Sequence, residues 1–530
     1  MNDDIHTSKQ AMKTALRLGH DLSFEDLYCR DGVVRIDRLF LDHVAAVDQD
    51  LGSRLTTARK NPDALEARDE SDLLLGLAPH VDDFIGTLFG ITGDIQSRAV
   101  EHHALAPVFA CRRLFVQRVA LKKIKPLDAA ALDGDTLTTT MTALLDGAVS
   151  DVAFANAVLT WMEDEEVHAD ALETAAQYAA WQVHMNVHAH PGSVLFREPA
   201  RVDPYDLVPN LIDLAAHGVD MKTMDPAHLR HRPGFKLTDE GGDLAGCLSE
   251  ANYCIFCHNQ GKDSCSRGLR DKKTNAFRQT AFGVDMAGCP LEEKISEMHL
   301  TKTDGNFVGA LAMAVVDNPM VAGTGHRICN DCMKSCIYQK QEPVNIPMGE
   351  TRTLRDVLEL PWGFEIYSLL TRWNPLNIRR PVPLAESGYK VLVVGLGPAG
   401  FTLSHHLMND GHAVVAIDGA KIEPLDPRYS GVTPKGERVP FDPVRDINEL
   451  MEDLDNRVMA GFGGVAEYGI TVRWDKNYLK IIRLLLERRQ AFALFGGTRY
   501  GGALAEDSAY AMGFDHVALC AGAGKPTVLS

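Results

Sequence analysis

The sequence predicts a multidomain protein with three successive characters: an all-α N-terminal region, a helical middle rich in cysteine, and an α/β dinucleotide-binding end. Three observations carry this. Apolar residues recur at three- and four-residue spacing through the first 240 residues, seven of the eleven cysteines fall between positions 254 and 336, and residues 389–419 read as strand, glycine turn, helix, strand and acid.

A chain of 530 residues exceeds what a single core supports, so two to four domains are expected. With 45% hydrophobic and 24% charged residues the composition is that of an ordinary globular protein. The formal charge of −18 excludes nucleic acid and anionic membrane as general partners, because both repel an acidic surface. Apolar runs are too short to span a membrane, and residues 1–20 lack the apolar stretch of a secretory signal, so a cytoplasmic location is expected.

Residues 1–240 are read as a helical domain. Segments 72–89 and 152–184 show helical apolar spacing, while glycine is sparse and strand-like alternation is hard to find. The acidic run Glu163 to Glu166 reads as a solvated helix face. His184 and His188 stand at i and i+4 with His190 following, a chelating geometry that lacks a third ligand of clear spacing and is read as surface or packing histidine. No chemistry is assigned to this region.

From residue 245 to 373 a second helical domain is expected. Short helices are predicted over 291–299, 306–316 and 353–360, before a proline-rich linker over 374–383. Cys254, Cys257, Cys265, Cys289, Cys329, Cys332 and Cys336 lie within 83 residues, and clustered thiols without an export signal point to metal, not disulfides. Zinc would take Cys254 and Cys257 with Cys329 and Cys332, across a gap long for a ribbon, and would leave three cysteines without a role. Two iron–sulfur clusters use more of the set, since cubanes take four ligands each and share them between distant cysteines, with Cys-Pro as at Cys289-Pro290. Unligated buried thiols are the third reading. Cys247 lies outside the pattern, and Cys29, Cys111 and Cys520 are read as small buried hydrophobes.

Residues 385–530 open on a β-branched run at 390–394, followed by Gly395, Gly397 and Gly400 in G-x-G-x-x-G. A helix over 398–409 and a strand over 413–417 ending in Asp418 complete a Rossmann-like unit. The glycines allow a tight turn and let backbone approach a pyrophosphate at the helix N-terminus. Asp418 is placed to accept from a ribose hydroxyl.

Cysteine-rich helices followed directly by V-V-G-x-G-P-A-G (residues 393–400, with Pro398 and Ala399 in the turn) resemble the FAD/iron–sulfur oxidoreductases typified by the small subunit of glutamate synthase and the N-terminal part of dihydropyrimidine dehydrogenase. The resemblance covers residues 254–526. It rests on Cys254-x2-Cys257, Cys289-Pro290, segment 325–336, the phrase E-P-V-N-I at 342–346 and the glycine motif. It also includes G-G-x-x-x-Y-G-I at Gly463, Gly464 and Gly469, and the turn around Gly522 in VALCAGAGKP.

By position, the resemblance implies one 4Fe-4S cluster on Cys254, Cys257, Cys265 and Cys336. A second would sit on Cys289, Cys329 and Cys332, with Glu350 in the place of a fourth ligand. It implies FAD as the dinucleotide. It further implies an electron-transfer cycle in which NAD(P)H reduces the flavin and the clusters relay single electrons to an acceptor; no catalytic side chain is demanded. Two departures stand out. Twenty-four positions separate Cys265 from Cys289, and no second G-x-G-x-x-G supplies a nicotinamide site within these 530 residues. The expectation is therefore an FAD domain present only in its first half, in a truncated member whose remaining domains or partner subunit lie elsewhere. The rival expectations are a non-enzymatic zinc- or cluster-stabilised scaffold carrying a degenerate nucleotide fold, and a simple NAD-binding dehydrogenase.

Overall fold

The structure, a computed structural model, describes residues 16–185, 192–216, 218–229, 231, 234, 236–237, 239–325, 329–468 and 475–522. It is a mixed helix and sheet architecture, about half helical, with one parallel sheet of four strands near the C-terminal end.

The chain begins with helices Arg30–Val47, Gln49–Lys60, Ala67–Phe89 and Thr92–Ala104. Asp48 separates the first two by accepting from the Leu51 amide, a side-chain N-cap. The helix expected over 72–89 starts five residues earlier, at Ala67, and buries Leu73, Leu74, Leu77, Val81, Phe84, Ile85 and Leu88 along one stripe. A second group of helices, from Ala106 to His184, forms a separate core with Phe154, Tyr178 and Phe196 at its centre.

Three expectations for this region change. The single helix over 152–184 is two, Asp151–Trp161 and Ala169–His184. Glu163 to Glu166 is an exposed turn between them and not a helix face; successive carboxylates are better solvated and farther apart there. The region is not all-helical: β1 (Leu211–Ala216) and β2 (Val219–Met224) pair antiparallel from Leu211↔Met224 to Ala216↔Val219. Gly218, at φ +70°, supplies the left-handed residue of the two-residue connection. Cys29 is exposed, and its sulfur accepts from the Gly32 amide at the start of Arg30–Val47. Cys111 is buried as expected, and Cys520 is half-buried. His184 packs with Nε2 3.2 Å from the Ile124 carbonyl, while His188 and His190 lie outside the described residues.

The middle of the chain supplies helices Leu244–Tyr253, Ile295–Thr303, Phe307–Asp317, Ile346–Leu358 and Gly363–Leu370. The helix expected at 291–299 begins four residues later because Glu292 takes φ +53°, outside the helical region. Phe307–Asp317 lies against Ala67–Phe89 so closely that a methyl on Gly309 would meet the Ala78 carbonyl oxygen at 2.6 Å. Asp82, from the earlier helix, accepts from the Gly309 and Val308 amides at 2.6 and 3.3 Å and so caps the later one.

At the C-terminal end, β3 (Lys390–Val394), β4 (Ala413–Ile417), β5 (Phe492–Phe495) and β6 (His516–Leu519) form the parallel sheet in the order β5-β4-β3-β6. Helix Pro398–Asn409 connects β3 to β4, and Asn477–Glu487 precedes β5. One hydrophobic core runs through the helices of residues 22–95, the middle helices after Met298, and the face of the sheet carrying Val391, Val393, Val414 and Ala416. Among the described residues no helix is long and apolar enough to cross a membrane.

Two buried ionic knots cross this core. In one, Glu365, Arg488 and Tyr28 meet. In the other, Asp356 receives Lys302 and Arg352, the latter at 2.6 Å. His102 stacks on Phe307 at 5.5 Å with Nε2 3.7 Å from Asp356. Burial first, then the Lys302 charge, lowers the His102 imidazole to about 4. Because this folded value lies below the ordinary 6.5, the stabilisation is present above pH 6.5 and lost as pH falls toward 4. The interval corresponds to about 3 kcal/mol. In urea titrations, His102→Gln is expected to lose that much less stability between pH 7 and pH 4 than the parent; equal losses would contradict the assignment.

Candidate cofactor sites

The glycine motif sits between β3 and helix Pro398–Asn409, as the alternation of buried run and turn requires. Gly395 takes φ +98°, and a methyl there would lie 2.5 Å from the Cys520 carbonyl oxygen. A methyl on Gly400 would lie 1.8 Å from the Gly395 carbonyl oxygen, so only glycine lets the helix close onto the strand. Gly397 is the helix N-cap, with Pro398 at the first position and the amides of Ala399 and Gly400 in the first turn, where a helix has no internal acceptors.

The Gly463-Gly464 loop comes down on this turn. Gly463 has φ +110° and Gly464 φ +52°, and a methyl on Gly464 would lie 2.9 Å from Gly397 Cα. Glu467, which the sequence reading passed over, holds that loop: Arg457 binds it through two nitrogens at 3.1 and 2.9 Å, and the Ala460 amide donates at 2.9 Å. Gly522 takes φ +76° in open space just past β6. Gly469 lies outside the described residues.

Asp418 ends β4 as expected, but its oxygens already serve the backbone. Oδ2 accepts from the Leu396 amide and Oδ1 from the Ala420 amide, both at 2.9 Å. It thereby fixes the glycine turn against the loop that follows β4. A carboxylate has about four acceptor positions, so a ribose hydroxyl is still accommodated.

The cysteines gather in two sets. Cys254, Cys257, Cys265 and Cys336 line one small cavity with Ile295, His299 and Val344. The long interval from Cys265 to Cys289 does not separate them in space: it is an excursion with antiparallel bridges Arg270↔Phe277 and Gln279↔Asp285, closed where the Cys289 amide donates to the Cys265 carbonyl at 2.8 Å. Burial pushes the Cys254 thiol up to about 12 and Cys257 up to about 11, and raises Cys265 and Cys336 as well. Left to themselves these thiols stay protonated; a bound metal reverses that balance.

Cys332 is buried with Cys289, Glu350 and Glu293 near enough to act on its charge, while Cys329 is exposed. Burial, then the Glu350 and Glu293 carboxylates, raises the Cys332 thiol. Glu350 is buried as well. It is raised first by burial and then by Glu293, a carboxylate from the turn after Cys289 that sequence reasoning missed. The signal that finds it is its place four residues after Cys289 in a segment with no helix to explain its burial. Of the pairs a zinc ribbon would join, Cys254 and Cys257 line the four-cysteine cavity and Cys329 and Cys332 do not. Among the described residues no group of three or more His, Cys, Asp or Glu side chains stands arranged to hold a metal ion.

His299 tests the fit of a cofactor. It is 2% exposed, lines the four-cysteine cavity, and neither ring nitrogen has a hydrogen-bond partner among the described residues. A methyl on Gly349 would lie 3.1 Å from its Nε2. A buried imidazole without partners is costly unless a bound group satisfies it. Four cysteines and this unpartnered imidazole line one shared space.

The N-terminal region supports this site. His258, beside Cys257, has Nδ1 2.6 Å from Ser296 Oγ, and Ser71 of helix Ala67–Phe89 donates to the neighbouring Glu297 at 2.6 Å. The segment before Cys329 packs closely on the helix of the glycine motif: a methyl on Gly323 would lie 3.0 Å from Phe401.

Comparison with known proteins bears on the N-terminal part. A family model described as "RP005 N-terminal alpha-helical domain" matches residues 18–90, the segment of Arg30–Val47, Gln49–Lys60 and Ala67–Phe89. The chain is similar to the uncharacterised protein RP006 of Rickettsia prowazekii (strain Madrid E), 54% identical over 211 residues, 40% of this chain and 28% of RP006. It is also similar to the uncharacterised protein RP005 of the same organism, 29% identical over 302 residues, 54% of this chain and 98% of RP005. The chain thus spans little more than a quarter of RP006. None of these descriptions names an activity, a flavin or an iron–sulfur centre.

Proposed function

We propose that the chain is part of an electron-transfer flavoprotein oxidoreductase, with residues 245–373 as a two-cluster iron–sulfur domain and 385–530 as a Rossmann-like FAD-binding domain. The observation that carries this reading is the gathering of Cys254, Cys257, Cys265 and Cys336, spread over 83 residues, around one cavity. Cys289, Cys329 and Cys332, with Glu350 completing the set, would hold the second cluster. Gly395, Gly397, Gly400, Gly463 and Gly464 would cradle the FAD pyrophosphate. Such cofactors supply hydride acceptance from NAD(P)H and one-electron transfer to an acceptor. The residues bring thiolate ligands, burial, and a tight backbone turn with free amides at a positive helix end.

The flavin half is tested by purifying the protein without oxygen, denaturing it and measuring released flavin beside iron. The parent is expected to release about one FAD per chain, the single dinucleotide motif allowing one. Gly400→Val is expected to release less than a tenth of that and to keep its iron, since its methyls would collide with the Gly395 carbonyl. A parent free of FAD, or a variant that keeps it, would overturn this half.

A further inference from the structure

A cleft of about 830 Å³ opens between the second helical core and the cysteine-rich segment, within the volume range of small-molecule sites. In a chain of formal charge −18 it is lined by four arginines, Arg112, Arg113, Arg197 and Arg201. Arg112 is buried and locked, donating to Ser249 Oγ at 2.7 Å and to the Ser249 and Val194 carbonyls. Arg197 is half exposed, with loose ion pairs to Glu342 at 3.5 Å and Glu250 at 3.9 Å. The pair with exposed Glu342 is of the kind that holds a charge weakly and exchanges for a better partner. Arg113 and Arg201 have no ion pair among the described residues.

The wall toward the cysteines is thin. Cys254 and Tyr338 line both this cleft and the four-cysteine cavity. Tyr338 stacks on Tyr253 at 4.3 Å and 6°, and its hydroxyl donates to the Tyr253 carbonyl at 3.2 Å. The partition between the spaces is therefore rigid and aromatic.

We propose that this cleft is the binding site for a small oxyanion, a molecule bearing carboxylate or phosphate groups, seated against Cys254. Guanidinium forks match both groups in two-point geometry, and Arg113 and Arg201, exposed and without ion pairs among the described residues, are open to such a ligand. Glu198, Glu250 and Glu342 also line the cleft; they offset part of the positive charge and disfavour simple inorganic monoanions relative to molecules engaging several guanidiniums. The site rests on the arginines. Only its role beside a redox group rests on the function proposed above.

The test is isothermal titration of the full chain with citrate and, separately, with pyrophosphate, alongside iron analysis. Saturable binding of at least one probe is expected, weakened at least tenfold in Arg113→Gln/Arg201→Gln. Both replaced side chains are exposed, so an unchanged thermal melt verifies that the fold survives. Binding of citrate alone assigns carboxylate, and binding of pyrophosphate alone assigns phosphate. Absence of saturable binding by either probe, or a loss under tenfold in the double variant, overturns the site. Arginine-dependent binding to protein that takes up no iron sustains this site and overturns the cofactor reading; iron-loaded protein without anion binding does the reverse.

Discussion

Glu365→Ala is expected to destabilise the protein by about 3–5 kcal/mol, the cost of leaving a buried charge without its partner. Glu365 and Arg488 have fully buried side chains, with Arg488 Nη1 at 2.9 and 3.1 Å from the two carboxylate oxygens. The Tyr28 hydroxyl donates to Glu365 Oε2 at 2.7 Å, and the Val444 amide donates to Oε1 at 2.7 Å. Arg488 also donates to the Tyr429 and Asp442 carbonyls and lies over the Phe441 ring at 4.6 Å. Burial pushes the Tyr28 hydroxyl up to about 12, so it remains a donor at every pH the protein meets. The knot therefore ties together the N-terminal segment, helix Gly363–Leu370 and the end of Asn477–Glu487. Removing the carboxylate strands the guanidinium, the phenol and an amide at once. Glu365→Leu/Arg488→Met should recover much of the loss, because an apolar pair leaves no buried charge. Urea denaturation checks both. A Glu365→Ala loss below about 1 kcal/mol, the range of a surface pair, would show that the knot is open to solvent.

The second large effect concerns the thiols. Cys336→Ser and Cys332→Ser each remove one proposed ligand, one from each proposed cluster. Each variant is expected to lose about half of the iron, one cubane of two. The double variant is expected to retain almost none. Cys111→Ser, in the second helical core and away from both sets, is the control and should keep its iron. Loss of all iron from either single variant would mean that one shared site, not two, is formed; equal retention in all variants would remove these thiols from cofactor binding.

Much of the C-terminal sheet was legible in the sequence. Strands at Lys390–Val394 and Ala413–Ile417 and the helix Pro398–Asn409 occur with the bounds expected, since an apolar run, a glycine turn and a helical stripe each speak through local sterics. That Cys254, Cys257, Cys265 and Cys336 line one cavity is not legible from spacing, because spacing along the chain does not reveal that the excursion after Cys265 returns to its starting point. The β1–β2 hairpin was missed. The sequence has no Asn-Gly between the two strands, and the strands lack clean alternation, with Leu211, Ile212 and Leu214 all partly exposed. Glu293 and His299 were missed for a different reason. A polar residue's burial is decided by distant elements, and no local pattern announces it. The same holds for Asp418, whose position was foreseen but whose bonds to the Leu396 and Ala420 amides depend on how the turn folds back.

The central claim is that the seven clustered cysteines hold iron and sulfide. It is tested most directly by iron, zinc and acid-labile sulfide analysis of the full chain purified without oxygen. Two cubanes predict about eight iron and eight sulfide per chain, with zinc well below one. Protein containing one zinc per chain and no labile sulfide would contradict the claim.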